Sequence, residues 1–353
     1  MGRIVDIMKS AIEHSASDLF IIVEFPLTVK SGGEMKKIDD TTLKVQDCYD
    51  LIKEIYEIAG NRDFNKLLEM GDDDFSFAIA GVSRFRVNAY KQRGSLAAVV
   101  RIIAFELPDA TSLRIPEQVV DLVGFNQGLV LVTGPAGCGK STTLACMVDS
   151  INRKKQSHII TLEDPLEFLH KHRKSIVSQR EINTDSQNFV TALRSALRQT
   201  PDVILIGELR DSMTMEIAMT AAETGHLILS SLHTVGASTT IDRIVDAFPP
   251  SQQKQITLQL SMVLQAIVSQ RLVPSKDGRV VPVFEIMTVS PAIRNMIREG
   301  KVHQIDNVIS VASADTGMQS MDKDLLELYQ RGIIEKDVAL DYASNKEMLE
   351  RKM

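Results

Sequence analysis

The chain has 353 residues, 44% hydrophobic and 24% charged, which excludes collagen-like and wholly disordered classes and suits two folded domains. Lys plus Arg is 40 against 46 for Asp plus Glu, a net charge of −6, and there is no Trp. An acidic chain without base-stacking platforms is a poor general binder of nucleic acid, so no nucleic-acid partner is expected.

Residues 1–105 read as a small α+β domain. A strand is expected at 18–23 (DLFIIV) and a helix at 47–60, where Leu51, Ile52, Ile55, Tyr56 and Ile58 recur at helical spacing. Phe75, Phe77 and Ile79 alternate, a Gly81-Val82-Ser83 turn follows, and Phe85, Val87 and Ala89 alternate again, the pattern of a hairpin with one buried face. Its other face carries Arg84, Arg86 and Asn88, and a third strand, 97–103, carries Arg101. The segment 106–116 holds two prolines among polar residues and reads as a linker.

From 117 to 353 strands and helices alternate. Strands are expected at 129–133, 158–162, 203–206 and 227–231, and helices at 140–152, 186–199, 212–223 and 251–270, with a helical C-terminal end. Such alternation predicts an α/β fold with a mostly parallel sheet covered by helices. Near its end, SPAIRNMIREG (290–300) specifies a short helix: Ser290 is a good N-cap, Pro291 suits the first turn and Gly300 the stop. Ile293, Met296 and Ile297 form its apolar face, while Arg294 and Arg298 share another face as like charges that gain nothing for the helix.

Residues 134–141 read Gly134-Pro135-Ala136-Gly137-Cys138-Gly139-Lys140-Ser141, a match to G-x-x-x-x-G-K-[ST] at every fixed position, followed by Thr142. An apolar strand precedes it and a helix-forming run follows, the context such a phosphate loop needs. Glycines let backbone N–H groups curl around phosphate oxygens, and the helix N-terminus adds partial positive charge. Lys140 is expected to reach the β- and γ-phosphates of ATP, and Ser141 to ligate Mg²⁺.

Acids are then needed at neighbouring strand ends. VILIGE (203–208) ends in Glu208, with Gly207 where many phosphate-loop enzymes place an Asp, so Glu208 takes the metal or water role. IITLEDP (159–165) ends in Glu163 and Asp164; one of these acids orients the attacking water while another handles Mg²⁺. GHLILSSLHT (225–234) is a third buried strand bracketed by His226 and His233, a pair expected beside the nucleotide as γ-phosphate sensors. Cys48, Cys138 and Cys146 form no CxxC pair, so neither a zinc site nor a disulfide framework is expected. No apolar run approaches the roughly 20 residues of a membrane helix, and the N-terminus lacks the apolar stretch of a signal peptide. A cytoplasmic location is expected.

GPAGCGKS, IITLEDP, VILIGELRD and GHLILSSLHT stand in the order of the Walker A, Asp box, Walker B and His box of secretion and pilus ATPases. With ASDLF (16–20), GVSRFRVNAYKQRG (81–94), ALRSALRQTPD (192–202) and AIRNMIREGK (292–301), nearly all of 1–340 resembles the PilT-type pilus retraction ATPases of type IV pili. The resemblance implies a PAS-like N-terminal domain, a RecA-like ATPase domain, a homo-hexameric ring, ATP hydrolysis, twitching motility and peripheral contact with an inner-membrane pilus platform protein. It also implies that Glu163 activates water, that Glu208 is the Walker B glutamate, that His226 and His233 are the His-box pair, and that Arg84, Arg86 and Arg101 serve the nucleotide. The tetracysteine zinc motif of extension relatives is missing, which favours retraction. Phe20 stands where a polar residue is expected after ASDL. Two rival readings remain: a related secretion or DNA-translocating ATPase, disfavoured by charge and composition, and a low-turnover nucleotide-binding accessory subunit, disfavoured by intact Lys140, Glu163 and Glu208.

Overall fold

The computed structural model describes residues 2–103, 107, 109–312 and 316–353. They divide into two compact units: Met1–Glu106 with Glu167–Leu169, and Leu107–Leu166 with His170–Met353.

The first unit opens with α1 (Arg3–Glu13), then β1 (Asp18–Ile21), β2 (Pro26–Ser31) and β3 (Glu34–Thr42). Helices α2 (Val45–Ile58) and α3 (Phe64–Met70) follow, then β4 (Asp72–Ile79), β5 (Ser83–Gln92) and β6 (Ser95–Ile103). The strands form one antiparallel sheet in the order β3-β2-β1-β6-β5-β4. The alternation of Phe75, Phe77, Phe85, Val87 and Ala89 buries one face of the hairpin, as period-2 patterning requires. The helices supply Ile4, Met8, Leu51, Ile52 and Ile55 to the same core. α1, β2, β3 and α3 were not among the expected elements; β3 (EMKKIDDTT) is exposed along its length and carries no apolar alternation to read.

Asp73, buried at the start of β4, draws three groups together. Its carboxylate accepts hydrogen bonds from Tyr56 Oη (3.0 Å), Arg62 Nε (2.9 Å) and Lys66 Nζ (2.9 Å). Burial pushes Asp73 up, but its hydrogen bonds to Arg62 and Lys66, with the Arg62 charge and Tyr56, outweigh burial and hold the carboxyl below its ordinary value.

The second unit begins with the segment 107–116. Leu107, Ala110 and Leu113 pack, half-buried, against its core and Ile115 is buried there, so the described part of the segment expected as a linker is fastened by its own apolar residues. Glu106 and Pro108 lie outside the described residues. Then come α4 (Glu117–Asp121), β7 (Gly128–Thr133), α5 (Lys140–Lys154), β8 (His158–Glu163), β9 (Ile176–Glu181), α6 (Phe189–Ala196), β10 (Val203–Ile206), α7 (Ser212–Glu223), β11 (Leu227–Leu232), α8 (Ala237–Asp246) and α9 (Pro250–Val263). The chain continues through β12 (Leu264–Pro274), β13 (Val280–Thr288), α10 (Pro291–Arg298), α11 (Ile305–Ser310), α12 (Met321–Gln330), α13 (Lys336–Tyr342) and α14 (Lys346–Glu350).

The sheet order is β13-β12-β7-β11-β10-β8-β9, parallel throughout except for the β12–β13 pair. β7 and β11 are buried at every position, the signature of parallel strands covered on both faces. Their alternation splits two cores: Leu129 and Leu131 face one with Ile160, Leu162 and Ile204, while Val130 and Val132 face the other with Leu144, Met147 and Ile151 of α5.

The structure corrects the helix expected over 251–270. It ends at Val263, and Leu264–Pro274 is a strand. Ala266, Ile267 and Val268 pair in parallel with Val130, Leu131 and Val132, giving β7 its second neighbour. No glycine or proline separates helix from strand, so the sequence gives no punctuation there. The helix expected over 186–199 shortens to Phe189–Ala196, its N-terminus set by Asn188, whose side chain accepts from Thr191 N. Helix α10 has the expected ends: the Ser290 hydroxyl accepts from Ile293 N and Gly300 takes φ 69°. Its arginines differ from one another. Arg294 is half-buried and donates to Ser261 O (2.5 Å) and Met262 O (2.7 Å), closing the C-terminus of α9, while Arg298 is exposed.

Asp73→Asn should destabilise the first unit by about 1–3 kcal/mol, less than for a sealed ion pair because Arg62 and Lys66 stay partly solvated. The lowered carboxyl contributes stability above its unfolded value near ~4, which is lost as pH falls through the lower folded value. Wild type should therefore lose more stability than Asp73→Asn as pH falls below about 4, read by thermal melts at several pH values.

Candidate functional site: a phosphate loop at the carboxyl edge of the sheet

Because β7, β11, β10 and β8 are parallel, their carboxyl ends share one edge. Leu232 of β11 stands level with Thr133 of β7, and Ile206 of β10 level with Leu162 of β8. The residues just beyond these ends are the phosphate loop, His233, Gly207-Glu208 and Glu163. Such an edge is where open α/β sheets bind ligands.

The loop runs from β7 into α5. Gly134 has φ 142°, and a Cβ there would stand 2.1 Å from the backbone oxygen of Gln270 on β12, so glycine is required by both conformation and space. Gly137 (φ 77°) and Gly139 (φ 90°) make the remaining left-handed turns. Pro135, Ala136 and Gly137 form the exposed rim, Cys138 turns inward and is buried, and Ser141 and Thr142 are half-buried in the first turn of α5. Burial pushes the Cys138 thiol up, which keeps it protonated.

The Lys140 side chain is buried. Its Nζ donates to Gly134 O and Pro135 O, each at 2.9 Å, and lies 3.5 Å from His233 Nδ1. The other ring nitrogen of His233 is 3.2 Å from Glu208 Oε2, and Glu208 Oε1 is 2.5 Å from the Arg210 guanidinium. The Nε2-protonated tautomer satisfies both contacts of His233. Lys140, His233, Glu208 and Arg210 thus form one polar chain across three strand ends. Burial alone would raise Glu208, but the hydrogen bond and charge of Arg210, with those of His233, hold its carboxyl below the ordinary value. Glu163, half-buried, closes β8 one strand further along.

One expected site residue of this unit is not brought to this edge. His226 precedes β11 at its opposite end: its carbonyl accepts from Gly128 N at the start of β7, and its ring Nδ1 is 3.0 Å from Ala221 O. Six strand residues separate it from His233, about 20 Å of extended chain. The two histidines therefore stand at opposite ends of β11: among the described residues of the chain, His233 touches Lys140 and Glu208, and His226 does not. In the first unit, Arg86 and Arg101 are direct cross-strand neighbours, and Arg84 lies two residues before Arg86. Arg86 is paired with Asp74 (2.6 Å) and Arg101 with Asp18 (3.1 Å).

Sequence reasoning missed Arg210 and Gln270. Arg210 had only its adjacency to Glu208 as a signal. Gln270 was hidden inside the misassigned helix. A cavity of about 960 Å³ in the second unit lies elsewhere, along Cys146, Asp149 and Arg153 of α5. The chemistry follows the loop and the strand ends rather than that cavity.

A buried lysine in a glycine-turned loop, at the head of a helix and beside a paired acid, defines a P-loop nucleotide-hydrolase site. The chain belongs to the Type II/IV secretion system protein family, whose model matches residues 3–280. It is 42% identical over 340 residues, 96% of this chain and 98% of the other, to the type IV pilus retraction ATPase PilT of Pseudomonas aeruginosa. It is 40% identical over 341 residues, 96% of this chain and 90% of the other, to a twitching motility protein of Neisseria gonorrhoeae. A solved structure of the pilus retraction motor PilT with bound ADP aligns with 99% of this chain and 100% of that one, at TM-score 0.91 and 44% identity.

Arg210→Ala removes the stronger influence holding Glu208 ionised. Its pKa then rises, so a higher pH is needed to keep the carboxylate charged. The acid limb of the kcat–pH profile should move to higher pH; an unmoved limb would exclude ionised Glu208 from turnover.

Proposed function

We propose that this chain is a hexameric, Mg²⁺-dependent ATPase motor that powers type IV pilus retraction. The single observation that carries the chemistry is the Lys140–His233–Glu208 chain beside a glycine-turned loop. The filament assignment rests on similarity to retraction ATPases along almost the whole chain.

ATP phosphates are received by loop N–H groups from Gly137 to Thr142 and by the Lys140 ammonium. Incoming phosphate oxygens replace the Gly134 and Pro135 carbonyls as acceptors from Lys140. Ser141 and Glu208 offer a hydroxyl and an ionised carboxylate, hard oxygen donors that fit Mg²⁺; the metal supplies charge neutralisation of the phosphates. Glu163, on the neighbouring strand end, accepts the proton of the attacking water, and Glu208 accepts a hydrogen bond from His233. His233 bridges lysine and acid, so it registers the loss of a phosphate between them.

One loop carries few cations for a triphosphate, so arginines from another surface complete the site. Arg84, Arg86 and Arg101 fill that role within a homo-hexameric ring. His226, remote from its own chain's loop, has no catalytic role there. The motor acts at the cytoplasmic face of the inner membrane, against a platform protein. No helix among the described residues is long and apolar enough to cross a membrane.

Lys140→Ala should abolish hydrolysis, a loss of at least about 10²-fold. Glu163→Gln or Glu208→Gln should keep ADP binding and slow turnover by about 10²–10⁴-fold. Hydrolysis measured with and without EDTA, alongside sedimentation mass, checks metal and ring together. Mixing Arg101→Ala subunits with Lys140→Ala subunits should partly restore activity if the arginines act between subunits.

Coupling to the filament is assigned to the exposed face of α10. Arg298→Ala should leave the ring and its ATPase within a few-fold of wild type yet stop twitching. Arg294→Ala is a poor test of coupling, because it also frees two carbonyls at the end of α9. Normal twitching with Arg298→Ala would defeat the coupling assignment.

A further inference from the structure

Gln270 lies on β12, beside β7, more than a hundred residues beyond the loop in sequence. It is 3% exposed, and its carboxamide is shared between two buried bonds. Nε2 donates to Cys138 O at 2.7 Å, and Oε1 accepts from Thr143 Oγ1 at 2.7 Å. One side chain therefore ties the crest of the phosphate loop to the first turn of α5. Its backbone oxygen also sets the space that requires glycine at 134, and a Cβ on Gly139 would approach its Nε2 to 3.0 Å.

We propose that Gln270 is a positioning residue for nucleotide binding, acting through the peptide group between Cys138 and Gly139. This rests on the reading of the loop as a nucleotide site. In a trans peptide the C=O and the following N–H point in opposite directions. Fixing Cys138 O onto Gln270 therefore turns the Gly139 N–H away from β12. Gly139 has no side chain and sits in the left-handed region, so little else restrains that peptide plane. Thr143 supplies the second anchor, which keeps the carboxamide from turning.

The chemistry at 270 is specific. Cys138 O needs a donor, which an amide supplies and a carboxylate does not. Glutamate there sets charge against a carbonyl and beneath phosphates, methionine keeps the length without the donor, and asparagine is one methylene short. The effect falls on binding, because the loop amides are needed in ground and transition states alike, so KM moves more than kcat.

The test measures ADP affinity by calorimetry, KM and kcat for Mg-ATP, and the melting temperature of the nucleotide-free protein. Gln270→Glu and Gln270→Met should each weaken ADP and raise KM by about tenfold or more, with kcat within about threefold of wild type. Thr143→Val should give a smaller loss in the same direction, and Thr143→Ser, which keeps the hydroxyl, should restore most of it. Lower melting temperatures with ADP affinity and KM unmoved would make the contact a matter of packing only and overturn the proposal. Should neither Gln270 variant fold, wild-type affinity in Thr143→Val overturns it equally. Wild-type protein that binds no ADP would overturn the nucleotide reading itself, and this proposal with it.

Discussion

A lysine ammonium that is buried must be compensated, and the second unit is organised around that requirement at Lys140. Leaving such a charge without partners costs several kcal/mol. Here two loop carbonyls and the His233 ring accept it, and among the described residues no carboxylate contacts it directly. Carbonyl dipoles hold a cation less firmly than an anion does. The arrangement therefore satisfies the lysine while leaving it able to exchange carbonyls for phosphate oxygens. A direct salt bridge to Glu208 would have been a competitor for the ligand. The structure instead places His233 between the two and gives Glu208 a guanidinium of its own, Arg210.

That geometry depends on the sheet. Parallel strands deliver their carboxyl ends to one edge, and the order β7-β11-β10-β8 sets the sequence of groups along it: loop, His233, Glu208, Glu163. Since β11 lies between β7 and β10, a residue at its tip reaches both neighbours, and His233 does. The residue at the other tip, His226, cannot, whatever its spacing in sequence. β12 completes β7 on its far side and brings Gln270 beneath the loop.

What was legible in the sequence was what local chemistry dictates. Glycines at 134, 137 and 139 are demanded by backbone angles within eight residues, so the loop was readable outright. The hairpin of β4 and β5 was readable from strict alternation, and the buried strands at 129, 159, 203 and 227 from short apolar runs between turns. β12 was not, because its partner is a strand more than 130 residues earlier and its own apolar run follows α9 without a break. The same distance hid Gln270, whose partners are Cys138 and Thr143. The two histidines were treated alike because strand periodicity describes faces and says nothing of ends. Arg294 and Arg298 repeat at helical spacing, yet only tertiary contact distinguishes a residue that closes α9 from one that faces solvent.

The arginines of the first unit raise a question of electrostatic cost. Arg101 is paired with Asp18, but its side chain is 66% exposed while Asp18 is 13% exposed. The Asp18 carboxylate also accepts a hydrogen bond from the hydroxyl of its neighbour Ser17 at 2.8 Å. A fully exposed pair is worth at most about 1 kcal/mol, but here the acid is largely buried and depends more on its partner. Parting Arg101 from Asp18 would leave a largely buried carboxylate without its cation, so it costs more than parting two exposed side chains. Arg86 and Asp74 differ from that pair in being part-exposed on both sides. These cations of the first unit are thus each held on a carboxylate of the sheet: Arg101 on Asp18, Arg86 on Asp74, and the part-exposed Arg62 and Lys66 together on buried Asp73.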